Sequence, residues 1–178
     1  MRILFVILLA ISGFAASGQS KQYVCTPCGE DCDKEVYDHA GHCRSCGMAL
    51  VEKSSATVTN LSVDEMCRRI ASNPNIILLD VRTPGEFNGS STRGSYGHFK
   101  NAININIDDL ENRLDEISKY KNDEIIVYCS HSHRSPRATY LLSTRGFKDV
   151  KNMAGGVSTL RNAEGNPCLK ENFVPHKN

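Results

Sequence analysis

The chain has 178 residues, enough for one ordinary domain and a small additional unit. Its formal net charge is +1, so there is no broad field to attract a nucleic acid or a membrane surface. A hydrophobic fraction of 40% is sufficient for a globular core, but the chain also has 8 cysteines, five of them between Cys25 and Cys46. This clustering predicts a metal site or a set of disulfides.

The beginning of the chain has the pattern of a secretory signal peptide. Met1-Arg2 is basic, residues 3–11 are apolar, and residues 15–18 are small. The alternative, a membrane anchor, is less favoured because a span needs about 20 apolar residues. We therefore expect a signal peptide at 1–18, cleavage before residue 19, and an exported protein, periplasmic or secreted, with no stable membrane insertion.

Residues 19–53 form a cysteine-rich segment with two C-x-x-C pairs, Cys25/Cys28 and Cys43/Cys46. Each tight turn directs two sulfurs to one point, and two such turns complete a tetrahedral site for Zn²⁺ or another soft metal. A disulfide knot is the alternative, although pairing within a C-x-x-C would close a small, strained ring. Three further potential ligands are close in sequence: Cys32, His39 and His42.

The second pair continues as Cys43-x-x-Cys-Gly-Met-x-Leu-Val, which resembles the heavy-metal-binding domain of bacterial metal-handling proteins. That family usually carries Cys-Pro-x-His at its first pair, whereas this chain has Cys25-Thr26-Pro27-Cys28. A unit this short is expected to need its metal in order to fold.

Residues 56–163 alternate between strand and helix patterns, which predicts an α/β domain with a mainly parallel sheet and helices on both faces. Ser62 begins a capping box, and Cys67 lies on the apolar face of the helix that follows, so we expect it in the core. The tail, 164–178, contains Cys168 and has no periodicity. The predicted strands are 56–60, 76–82, 103–107, 125–128 and 149–153, and the main later helices are 108–119 and 135–144.

The stretch from Ile125 to Arg134 carries the most chemical information. An apolar strand leads into Cys129, a short polar loop follows, and a helix begins after Arg134. Converging backbone N–H groups at such a turn favour an anion, and thiolate is the reactive form of cysteine. Lowering a thiol pKa by two units takes about 2.7 kcal/mol, and a helix terminus supplies only about 1 kcal/mol. Several N–H donors and Arg134 must therefore contribute.

Other polar residues surround this turn. His131 and His133 are either functional groups that titrate near neutral pH or solvated loop residues. Asp80 and Arg82 end a neighbouring strand, where α/β sheets place their sites.

Taken in order, four motifs resemble a single rhodanese domain over about residues 57–163. They are Leu79-Asp80-Val81-Arg82-x3-Glu86-Phe87, Gly97-His98-x2-Asn101-Ala102-x-Asn104-Ile105, Val127-Tyr128-Cys129-x4-Arg134-Ser135, and the pairs Gly146-Phe147 and Gly155-Gly156. The resemblance implies a sulfurtransferase that needs no cofactor for sulfur transfer. Cys129 would take sulfane sulfur from a small anionic donor such as thiosulfate, hold it as a persulfide, and pass it to a thiol, to cyanide or to a protein acceptor.

The resemblance also implies roles for the residues around the thiol. The amides of the loop would stabilise the persulfide, Arg134 would orient the donor, and Asp80 and Arg82 would brace the loop. The loop residues are Ser130, His131, Ser132 and His133. Four residues between cysteine and arginine favour sulfur over phosphate, because the related dual-specificity phosphatases have one more.

Two departures from the family are visible. Ser132 stands where the family often has glycine, and residues 88–96 form an insertion that either covers the site or binds a partner. The alternative function is a non-catalytic metal-binding or sulfur-carrier module that docks or delivers persulfide. A redox pair between Cys129 and Cys168 is a third hypothesis, for which the sequence offers no support.

Overall fold

A five-stranded parallel sheet forms the centre of the computed structural model, which describes residues 20–92, 96–162 and 165–176. The predicted signal peptide and three residues of the 88–96 insertion lie outside this described part. Within it, no helix has the length and apolarity needed to cross a membrane. The described strands are β1 (Tyr23–Cys25), β2 (Val36–Tyr37), β3 (Leu50–Glu52), β4 (Thr59–Leu61), β5 (Ile77–Asp80), β6 (His98–Phe99), β7 (Ile103–Asn104), β8 (Glu124–Tyr128), β9 (Asp149–Met153) and β10 (Phe173–Val174).

Helices connect these strands. The described α-helices are α1 (Val63–Ser72), α2 (Pro84–Asn88), α3 (Ile107–Leu110), α4 (Arg134–Thr144) and α5 (Pro167–Asn172). The 3₁₀ segments are Asp31–Lys34, Lys53–Ser55, Glu111–Tyr120 and Val157–Asn162.

The central sheet has the order β4-β9-β8-β5-β7, and every pairing is parallel. Strand β8 is buried on both faces: Ile125 and Val127 pack into one core cluster, and Ile126 and Tyr128 pack into the other. Residues of α3 and α4 belong to the first cluster, and residues of α1 and α5 belong to the second. The predicted α/β fold with helices on both faces is confirmed, and Cys129 follows β8 at the carboxyl edge of the sheet.

The boundaries of four predicted elements need correction. The strand predicted at 76–82 is β5 at Ile77–Asp80, so Arg82 lies just beyond the end of the strand. The strand predicted at 56–60 is β4 at Thr59–Leu61, and the strand predicted at 103–107 is only β7, because Ile107 already begins α3. The helix predicted at 108–119 is α3 followed by a 3₁₀ segment, and Arg113 interrupts it with φ −115° and ψ 16°. The capping box of Ser62 and Glu65 is present as predicted.

The C-terminal tail has structure that its lack of periodicity did not predict. Asn166 caps α5 by accepting a hydrogen bond from the Cys168 backbone N–H at 3.0 Å, and β10 pairs antiparallel with β6. Cys168 forms a disulfide with Cys67, which attaches the tail to α1. Cys67 is therefore a disulfide partner and not a free core thiol, and the hypothesis of a Cys129–Cys168 pair is wrong because Cys129 is free.

The Cys-rich unit, residues 20–53 of the described chain, has its own small antiparallel sheet with the order β2-β1-β3. Its core contains few apolar side chains apart from Leu50 and consists largely of buried cysteines. A core of this size is too small to be stable without additional cross-links or a metal.

Candidate functional site

Cys129 lies at the junction between the central strand and helix α4. It is 1% exposed, and the next four residues, 130–133, form the cysteine loop that leads to Arg134 at the start of α4. The Ser135 hydroxyl donates a hydrogen bond to the Cys129 Sγ at 3.4 Å. The thiol therefore lies close to the amino end of helix α4, where the helix dipole favours a bound anion.

The carbonyl groups at the start of the loop are held on its outer side. The backbone N–H of Val157 donates to the Cys129 oxygen, and that of Ser158 donates to the Ser130 oxygen, both at 2.9 Å. In a trans peptide the N–H of the next residue points the opposite way from the carbonyl, so these N–H groups face the other side. No oxygen atom of the described residues accepts a hydrogen bond from the backbone N–H groups of residues 130–133. These donors are therefore available to an anion.

Gly156 makes this arrangement possible. It has φ +65°, and a Cβ at this position would lie 2.5 Å from both the Cys129 and the Ser130 carbonyl oxygens. Only a residue without a side chain allows the turn to approach the loop so closely. The turn at Gly155-Gly156 thus holds the carbonyl groups of the loop in place.

Ser132 has the backbone conformation that explains the family's preference for glycine. Its φ is +60°, in the left-handed region that costs an L-residue roughly 1–2 kcal/mol. The Asn152 amide compensates by donating to the Ser132 hydroxyl at 2.9 Å and to the Asn60 side-chain oxygen at 2.7 Å. Serine in the glycine position is therefore accommodated by a bond that ties the loop to β9 and β4.

Arg134 is paired with a carboxylate that was not among the predicted site residues. Its two terminal nitrogens donate to the two Glu86 oxygens at 2.7 Å each, and Ser130 donates to Glu86 at 2.9 Å. Burial opposes ionisation of Glu86, but the bonds from Arg134 and from the Thr83 backbone outweigh it and lower its pKa to about 2. Glu86 thus balances the charge of Arg134 and fixes the loop to α2.

We expect this pair to make stability depend on pH. A carboxylate with a depressed pKa contributes fully above its ordinary pKa of 4.5 and loses its contribution as the pH falls towards about 2. Glu86→Gln should lower the free energy of unfolding on the order of 3 kcal/mol near neutral pH, and the difference from wild type should shrink in acid. Urea unfolding at several pH values measures this. Glu116→Gln, which breaks an exposed pair with Arg113, is the control, and an equal effect there would contradict the expectation.

Asp80 and Arg82 support the end of the strand and not the loop itself. They form a fully buried ion pair with a shortest distance of 2.6 Å, and Arg82 also donates to the Gly97 carbonyl at 2.8 Å. The Arg82 guanidinium lies 5.7 Å from the centre of the ring of Tyr128, the residue directly before Cys129. The predicted bracing is thus indirect, through Tyr128 and the Gly97 segment.

Both histidines of the loop have partners in other elements. The His131 ring lies 3.2 Å from the Tyr96 hydroxyl, at the end of the insertion, and the His133 Nδ1 lies 2.9 Å from a carboxylate oxygen of Glu30 in the Cys-rich unit. Both histidine side chains are exposed. Each of these exposed side chains therefore connects the loop to a neighbouring element.

The cysteine cluster differs by one residue from the predicted ligand set. Cys25, Cys43 and Cys46 are brought together as predicted, but Cys32 joins them, with all four sulfurs within 4.8 Å of one another. Cys28 instead belongs to a second group with Cys25, Cys32 and Asp33. All five of these cysteines are free, so the structure contains no disulfide knot in this unit. His39 and His42 are in neither group.

The four sulfurs suit a soft tetrahedral metal. Sulfurs bound to one zinc ion lie about 3.8 Å apart, and the Cys25 and Cys46 sulfurs are 3.2 Å apart. Backbone N–H donation from Cys46 lowers the pKa of Cys43 to about 6, whereas burial raises the pKa of Cys25 far above its ordinary value. A cation would stabilise the buried thiolates that such a cluster requires.

Four contributing residues were missed by the sequence reading. Glu86 is visible in the sequence as the fourth residue of a capping box, Thr83-Pro-Gly-Glu, but not as the partner of Arg134. Ser135 is part of the cysteine motif in the sequence, but its bond to Sγ, like the contacts of Asn152, has no local signal. Cys32 was noted only as a spare ligand because it lies outside the C-x-x-C pairs.

Comparison with known proteins places this site in a family. The sequence profile of the Rhodanese-like domain matches residues 62–163, which include the cysteine loop and the Gly155-Gly156 turn. A rhodanese-related protein from Thermoplasma volcanium superposes with a TM-score of 0.50 at 26% identity, over 61% of this chain and 95% of that chain.

Curated relatives match mainly the same domain. A tRNA uridine(34) hydroxylase from Buchnera aphidicola is 34% identical over 89 residues, covering 48% of this chain and 26% of the relative. A protein named sulfurtransferase from Allochromatium vinosum is 26% identical over 100 residues, covering 56% of this chain and 85% of the relative. Several relatives are much longer: the chain spans only 26% to 56% of three of them.

Proposed function

The chain belongs to the rhodanese-like domain family, and from this premise we propose that it is an exported sulfurtransferase that works through a Cys129 persulfide. One observation carries the proposal: the buried thiol lies under a loop whose carbonyls point outward and whose N–H groups have no oxygen acceptor among the described residues. Such a loop stabilises negative charge on sulfur. Relatives named as sulfurtransferases support the same chemistry.

The reaction has two steps. The Cys129 thiolate attacks the outer sulfur of a donor such as thiosulfate, a new sulfur–sulfur bond forms, and sulfite leaves with the electron pair of the broken bond. The terminal persulfide sulfur is then attacked by a thiolate or cyanide, which takes the sulfur and restores the Cys129 thiolate. The loop amides stabilise the anion in both steps.

The side chains around the thiol have different roles in binding the donor and holding the loop. Ser135 donates a hydrogen bond to Sγ and so helps to hold the sulfur in place. Arg134 is held by Glu86, so it contributes less free positive charge than an unpaired arginine and acts mainly to fix the loop. An anionic donor is therefore bound chiefly by backbone N–H groups.

Export and metal binding complete the proposal. The Cys67–Cys168 disulfide supports a working place outside the reducing cytoplasm, in agreement with the expected signal peptide. Cys25, Cys32, Cys43 and Cys46 would hold Zn²⁺ or a similar ion. This ion would stabilise the Cys-rich unit, and the two sulfur-transfer steps themselves do not need it.

Replacing Cys129 with serine tests the proposal. We expect thiosulfate-dependent formation of thiocyanate from cyanide by the wild-type protein, and loss of essentially all turnover in Cys129→Ser. Thr144→Ala is the control, because this exposed residue at the end of α4 lies outside the cysteine loop and its replacement should leave turnover intact. Undiminished turnover in Cys129→Ser would exclude the proposed mechanism.

A sulfur-carrier module remains the second candidate because of one observation. Cys129 is only 1% exposed, which restricts access to the thiol and suits delivery by a docked protein. This candidate predicts a stable persulfide but negligible turnover with thiosulfate and cyanide. Stopped-flow measurement of each half-reaction separates the two functions.

A further inference from the structure

We propose that the Cys-rich unit positions the cysteine loop, with Gly29 as the positioning residue at their contact, so that sulfur transfer depends on the integrity of this unit. The inference rests on the proposed function. It extends that function, because the Cys-rich unit then contributes to the geometry of the active site and is not an independent domain.

The contact between Gly29 and Ser132 is too close for any side chain. A Cβ on Gly29 would overlap the Ser132 carbonyl oxygen and would lie 3.1 Å from the Ser132 carbonyl carbon and 3.4 Å from the His133 Cα. All of these are backbone atoms, which cannot turn away as a flexible side chain can. The backbone at Gly29 thus packs directly on the cysteine loop.

Gly29 is itself held firmly on the side of the Cys-rich unit. The Asp33 carboxylate accepts hydrogen bonds from the backbone N–H of Gly29 at 2.8 Å and from that of Cys28 at 3.0 Å. Asp33 directly follows Cys32, a member of the sulfur cluster. The position of Gly29 is therefore set by the same short segment that supplies this sulfur.

The contact falls on a strained part of the loop. Ser132 has φ +60°, and its hydroxyl is bonded to Asn152 on the side of β9. Gly29, in the Cys-rich unit, limits the movement of Ser132 from the other side, next to the contact between Glu30 and His133. A strained conformation persists only when its surroundings determine it, so Gly29 helps to keep Ser132 left-handed.

The contact between Gly29 and Ser132 also affects the orientation of the backbone N–H groups that would bind an anion. The Ser132 carbonyl faces Gly29, and the N–H of His133, in the same trans peptide, points the opposite way. Val157 and Ser158 hold the Cys129 and Ser130 carbonyls outward in the same manner. The Cys-rich unit thus supplies a third point of support, for the part of the loop that those two residues do not reach.

Two glycine variants test the inference. Gly29→Ala and Gly47→Ala both place alanine at a left-handed position after a C-x-x-C pair, with φ +80° and +73°, but a Cβ on Gly47 meets nothing within 4 Å. We expect Gly29→Ala to lower kcat for sulfur transfer about tenfold more than Gly47→Ala, with equal metal content. Hydrogen exchange at residues 129–134 should be faster in Gly29→Ala only.

The outcomes separate this inference from the proposed function. If the wild-type protein is active, and the two variants have the same kcat and the same hydrogen exchange at residues 129–134, the positioning role is overturned. The proposed sulfur transfer then still stands. If Gly29→Ala does not fold, metal removal from the wild-type protein by a chelator replaces it. Faster exchange at residues 129–134 after chelation would then support the inference, and unchanged exchange there would overturn it.

Discussion

Gly156→Ala should lower kcat/KM for sulfur transfer by about 100-fold or more, the loss typical of a damaged anion-stabilising site. The added Cβ would lie 2.5 Å from the carbonyl oxygens of both Cys129 and Ser130. To relieve this overlap the turn must move away from the loop, which breaks the bonds from the N–H groups of Val157 and Ser158. The loop peptides are then free to rotate, and their N–H groups no longer converge on the sulfur.

Gly146→Ala is the matched control for this prediction. Gly146 also has a left-handed backbone, with φ +86°, but a Cβ there has no neighbour within 4 Å. Both variants carry the conformational cost of alanine at positive φ, roughly 1–2 kcal/mol, so the difference between them reports the contact with the loop. Similar kcat/KM values for the two variants, with both folded by circular dichroism, would show that the turn does not support the site.

Cys32→Ser should abolish metal binding, whereas Cys28→Ser should retain about one equivalent of zinc. The reason is that Cys32 joins the sulfurs of Cys25, Cys43 and Cys46, while the Cys28 thiol donates a hydrogen bond to Asp33 at 3.1 Å. Because this unit has almost no apolar core, loss of the metal should also unfold it.

Native mass spectrometry of the reduced, zinc-loaded proteins measures the bound metal directly. The two cysteines are buried to a similar degree, so a general effect of removing a buried thiol is shared by both variants. Loss of metal from Cys28→Ser and its retention in Cys32→Ser would instead support the ligand set predicted from the two C-x-x-C pairs.

Much of the fold could be predicted because it has a local signal. The apolar run before Cys129 indicates a buried parallel strand, and the capping box at Ser62 marks the start of α1. Element ends were less certain: Ile107 continues the alternation of β7 in the sequence but begins a helix in the structure. Alternation alone does not show where a strand loses its partner.

The contacts that complete the site could not be predicted in the same way. Glu86 and Arg134 are 48 residues apart, and the Cys67–Cys168 disulfide spans 101 residues. Pairings of this kind depend on topology and not on local pattern. Ser132 was noted in the sequence only as a departure from the family's glycine, and its left-handed backbone became visible only in the structure.

The most direct test of the account is the intact mass of the reduced protein after incubation with thiosulfate and removal of the excess. The account predicts that wild type gains the mass of one sulfur atom, that peptide mapping places it on Cys129, and that cyanide removes it. Cys129→Ser should gain nothing. An unmodified wild-type protein, or a sulfur atom located on a cysteine of the Cys-rich unit, would contradict the account.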